Sequence, residues 1–87
     1  MKTKKGIDVI AGVSEALKFR KENNTSDEEK VMQHILNFIK KSEYTKSKFD
    51  IIAGVSYALK ILEREPKVKD KEVINRVLND LPAIVEN

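Results

Sequence analysis

The chain has 87 residues, of which 17 are basic and 14 acidic, for a net charge of +3. This is the length of a single domain, and the charge excess falls short of the basic stripe of a dedicated DNA-binding domain. There is no cysteine, which excludes a disulfide framework, a thiolate nucleophile and a cysteine-ligated zinc.

The first segment, Met1-Lys2-Thr3-Lys4-Lys5, is basic, but Asp8, Ser14 and Glu15 break the apolar run behind it. A secretory h-region is therefore not expected, and the cytoplasm is the expected location. A helix is predicted over 5–22. At 100° per residue it gathers Val9, Ile10, Gly12, Val13, Ala16 and Leu17 on one side, with Asp8, Glu15 and Lys18 opposite. Asp8 is thus expected in solvent near the positive end of its helix.

After the turn Asn23-Asn24-Thr25, Ser26-Asp27-Glu28-Glu29 reads as a capping box with Ser26 as the cap. It opens a second helix over 26–41 whose apolar face is Val31, Met32, Ile35, Leu36, Phe38 and Ile39. His34, the one histidine, falls at the polar edge of that face, cannot form a metal site by itself and is expected at the surface.

A third helix is predicted over 47–64, with Ile51, Ile52, Gly54, Val55, Ala58, Leu59 and Leu62 as its buried face. Pro66 ends it near Arg64, because the residue before a proline avoids the α region. Asp70 is the expected cap of a fourth helix over 70–81, which buries Val73, Ile74, Val77, Leu78 and Leu81. Pro82 lacks the amide that a helix interior needs, so that helix is expected to end or kink there. Ile84 and Val85 then form a short apolar tail able to return to the core.

Sliding the chain by 42 residues lays 7–18 on 49–60 with nine of twelve positions identical. The same register, without a gap, pairs Val31 with Val73, Leu36 with Leu78 and Asn37 with Asn79. The sequence therefore predicts an all-α, four-helix bundle-like domain made of two duplicated helical hairpins, 7–39 and 49–81, with pseudo-twofold symmetry. Gly12 and Ala16, and again Gly54 and Ala58, are small residues four apart. They make a groove in which the first and third helices can cross closely, or alternatively a homodimer contact.

No constellation for catalysis is present. Ser14 and Ser56 have no base beside them, and Asp8, Asp50 and Glu15 fall on polar faces rather than in a cleft. Phosphate loops, dinucleotide fingerprints, calcium loops and zinc spacings are absent, so no cofactor or metal is expected.

Two surfaces remain. Phe49, Tyr57 and Ile61 lie away from the main face of the third helix, and aromatic residues are common at protein interfaces. Up-and-down helices would also gather Lys2, Lys4, Lys5, Lys40, Lys41, Lys46 and Lys48 at one pole, partly offset by Glu43, Asp80 and Glu86. The expected function is a non-enzymatic module that binds a protein partner, of regulatory, inhibitory or immunity type, with self-association as one form. A nucleic-acid-binding accessory role through the lysine pole is the alternative.

Overall fold

A computed structural model describes residues 3–41 and 44–84. It contains five helices: α1 (Thr3–Asn23), α2 (Glu28–Lys41), α3 (Lys48–Arg64), α4 (Asp70–Asn79) and the short α5 (Leu81–Ile84). A 3₁₀ turn, Thr45–Ser47, leads into α3, and no strand occurs among the described residues. The all-α prediction holds, and the boundaries differ from the expected ones by one or two residues.

The core is assembled from the buried faces of α1 to α4. In α2 the fully buried residues are Val31, Ile35 and Ile39, spaced by four as one helical face requires. Val73 and Val77 repeat this spacing in α4. The most extensive contact is between α1 and α3, and α2 and α4 each touch both of these central helices.

Glycine decides the α1–α3 contact. A Cβ placed on Gly12 would stand 2.4 Å from Cγ2 of Ile51, and one on Gly54 would stand 2.4 Å from Cγ1 of Val9. The two contacts are related by the 42-residue shift, since Val9 stands to Gly54 as Ile51 stands to Gly12. Ala16 and Ala58 are buried in the same core. At the two glycines the groove is therefore filled within the chain, by Ile51 and Val9.

The helix ends depart from the sequence reading in an instructive way. The cap of α2 is Asp27 rather than Ser26: its carboxylate accepts from the amides of Glu29 at 2.9 Å and Lys30 at 3.5 Å. The Thr25 hydroxyl in turn accepts from the Asp27 amide at 3.1 Å. Nor does Asp70 cap α4. It is the first helical residue, and its carboxylate pairs with Lys21 of α1 at 3.0 Å. Pro82 neither continues nor kinks α4, which ends at Asn79. Instead it occupies the first turn of α5, where an amide has no helical partner to lose. Ile84 returns to the core as expected, while Val85 lies outside the described residues.

Helix α1 ends in a Schellman motif. Asn24 has a positive φ of 46°, the Thr25 amide donates to the Arg20 carbonyl at 3.1 Å, and the Asn24 amide donates to Lys21 at 3.4 Å. Glycine takes this backbone conformation freely, whereas a Cβ without a polar tip makes it costly. Asn24→Ala is therefore expected to lower stability by about 1 kcal/mol, and Asn24→Gly to leave it equal or higher. Urea denaturation of the two variants checks the order.

Candidate partner-binding surface

The corner where α2 gives way to α3 is built by three ties. The rings of Phe38 and Tyr44 lie 5.3 Å apart, and the Ser47 amide donates to the Tyr44 carbonyl at 2.9 Å. The Ser47 hydroxyl donates to Oδ2 of Asp8 at 2.6 Å. Asp8 is only 3% exposed and Ser47 is buried, which corrects the expectation that Asp8 is solvated. The wheel assigned Asp8 to the polar side of α1, but the 3₁₀ turn lies over that side and supplies a donor for its carboxylate. No buried side-chain polar atom among the described residues lacks a partner.

On this fixed corner Phe49 is 79% exposed, the most open of the large apolar side chains. The ammonium of Lys48 sits 5.9 Å from its ring centroid, within reach of a cation–π attraction. Lys40, Lys41 and Lys46 are also exposed around the α2–α3 connection. Lys40 and Lys48, with Asn37 and Thr45, line one shallow cleft of 220 Å³. Of the lysines expected at one pole, Lys40 and Lys48 are thus brought to one cleft. Lys2 lies outside the described residues, as do the side chains of Lys4 and Lys5, so their share in the pole falls outside this description.

The other two candidates on α3 are placed differently. Ile61 is 1% exposed and belongs to the core, so it presents nothing to a partner. The wheel put it at a margin because it allowed α3 a single buried face, whereas α3 has neighbours in α1, α2, α4 and α5. Tyr57 is half-buried, and its hydroxyl donates to the carboxylate of Asp80 beyond the end of α4. A Tyr57→Ala change therefore cuts a tie within the fold and does not isolate a partner contact.

That tie has a signature in titration. The hydrogen bond to Asp80, aided by burial and by the negative charge of Asp80, raises the Tyr57 hydroxyl above its ordinary value of 10.0. A group raised in the folded state contributes stability that is complete below the unfolded value. That stability is lost as pH rises through the higher folded value. Ultraviolet titration is expected to show one tyrosine ionising late, and Asp80→Asn to bring it back toward its ordinary value.

Two further polar clusters escaped the sequence reading. Nε2 of His34 lies 2.7 Å from Oε2 of Glu15, and the His34 ring stacks on Phe19 at a centroid distance of 4.2 Å. His34 is thus a partnered residue of the α1–α2 interface and not a bare surface histidine. Its signal was available only across helices, since Glu15 is 19 residues away in sequence. At the α3–α4 connection, Arg76 grips Glu65 with two nitrogens at 2.6 and 2.9 Å and reaches Glu72 at 3.0 Å. These bonds hold the Glu65 carboxyl below its ordinary range and the Arg76 guanidinium above its own.

Among the described residues, no group of histidine and carboxylate side chains is placed to hold a metal ion. No helix among the described residues is long and apolar enough to cross a membrane. Comparison with protein-family models, with curated proteins and with solved structures gives no match, and the functional reading comes from this chain's own surface.

Proposed function

We propose that the chain is a non-enzymatic, cytoplasmic helical module that binds a protein partner through the α2–α3 corner, as regulatory, inhibitory or immunity-type proteins do. The observation that carries this reading is Phe49: a phenylalanine 79% exposed on a corner tied by the buried Ser47–Asp8 hydrogen bond, with the Lys48 ammonium near its ring. Burying such a ring contributes roughly 1.5–3 kcal/mol, which this chain forgoes by itself and a complex would recover. Interfaces draw most of their energy from a few such anchors. Surrounding charges set orientation and the rate of encounter, so Lys40, Lys41, Lys46 and Lys48 favour a partner with an acidic surface. The exposed side chains elsewhere on α3, among them Lys60, Glu63 and Arg64, offer no comparable anchor.

A photo-reactive phenylalanine analogue at position 49 tests this directly. Irradiated in cells, it is expected to give a discrete protein adduct that weakens when Lys46 and Lys48 are changed to glutamate. Labelling no stronger than from the same analogue at exposed Lys67 would remove the proposal. The lysines alone also suit the second reading, a nucleic-acid accessory role. That role requires affinity that falls steeply with salt and survives Phe49→Ala, which a gel-shift titration reads.

A further inference from the structure

At the end of the molecule away from the Phe49 corner, the α1–α2 and α3–α4 connections bound two adjoining clefts of 470 and 300 Å³. Arg20 lines both. In the register of the internal repeat, Arg20 stands where the second copy has Leu62, a core residue 5% exposed. A guanidinium with five donors thus replaces a core leucine at the edge of the same apolar layer. Glu28 and Glu63 line the larger cleft too, yet among the described residues no carboxylate is in ion-pair contact with Arg20. If its only task were to cover the core with its stem, it would leave charges of both signs unused over a floor of Leu59, Leu62 and Pro66.

We infer that this cleft binds a small zwitterion with an apolar body, of the kind presented by an α-amino acid with an aliphatic side chain. The carboxylate takes the Arg20 fork, whose paired nitrogens match its two oxygens. The ammonium lies against Glu28 or Glu63, and the side chain covers Leu59, Leu62 and Pro66. The two glutamates set the class, because a bare anion meets repulsion there that a zwitterion turns into attraction. The larger cleft falls within the roughly 300–1,000 Å³ of small-molecule sites. The ligand's few atoms place the dissociation constant on the order of 0.1–1 mM.

The probe is L-leucine, titrated into the full chain and followed by amide chemical shifts. Saturable shifts confined to residues 20–28 and 59–66 are expected, with N-acetyl-leucine and leucinamide each binding several-fold more weakly. Arg20→Leu installs the residue of the other copy and is expected to fold and to lose binding by about tenfold or more. Arg20→Lys, which keeps charge without the fork, should fall between. No saturable shift with leucine overturns the inference, as does unchanged binding by Arg20→Leu. Equal binding of leucine and N-acetyl-leucine overturns it as well, because a carboxylate alone would then suffice. None of these results bears on the Phe49 corner, which the crosslinking experiment tests separately.

Discussion

Gly12→Ala will lower the stability of this domain by about 1–3 kcal/mol, although local preference points the other way. In an exposed helix the same change stabilises by roughly 0.5–1 kcal/mol, because glycine loses more backbone freedom on folding. The sign of the result therefore distinguishes tertiary packing from helix propensity. The new Cβ would meet Cγ2 of Ile51 at 2.4 Å, inside any tolerable contact. Cγ2 is not the free end of a flexible chain. It is fixed by a β-branched side chain with little freedom at χ1, on a helix packed on several sides. The two central helices must then move apart or Ile51 must leave its rotamer. Gly54→Ala meets Val9 at the same distance and is expected to behave alike. Folded proteins of this size hold only a few kcal/mol in reserve, so the double variant should unfold well below the wild type in urea. A rise in stability for either single change would mean that α1 and α3 do not cross at these glycines.

Ser47→Ala is the second large effect, again about 1–3 kcal/mol. Its hydroxyl lies 2.6 Å from a carboxylate that is 3% exposed. Removing the donor leaves Asp8 with less hydrogen bonding in a place that water does not reach, and the less-compensated desolvation of that carboxylate is what the measurement reads. Ser47 precedes α3, where a serine would ordinarily cap the helix, yet it makes no capping hydrogen bond. If capping were its role, Ser47→Asp would be harmless. With Asp8 as its partner, Ser47→Asp places two carboxylates together and should destabilise more than alanine does. Thermal unfolding of the two variants separates the accounts.

These two sites show where reading from residues succeeded and where it stopped. Gly12 and Gly54 stood out because a glycine inside a helical pattern needs a reason, and the 42-residue register supplied both positions at once. Phe49 was legible as an outward residue, and it remains the open anchor of the candidate surface. Ile61 and Tyr57 were read with the same wheel and are engaged within the fold. A wheel reports one apolar stripe, but α3 is central and buries more than one. Ser26 and Asp70 failed as caps for a related reason. A short polar side chain near a helix start has several acceptors or donors within reach, and sequence proximity does not rank them. Asp27 took the α2 amides, Ser47 took Asp8, and Asp70 took Lys21.

Sequence alone determined that the fold of the described residues is all-α, where its main helices lie to within about a turn, and which glycines allow two of them to meet. Those properties are periodic or local, and a repeat written twice makes them easier to read. Tertiary structure decided which polar side chains are buried, which apolar ones stay open, and what Asp8, His34, Tyr57 and Arg20 face. For Asp8, His34 and Tyr57 the deciding neighbours stand 19 to 39 residues away, and only the packing of one helix against another sets those distances.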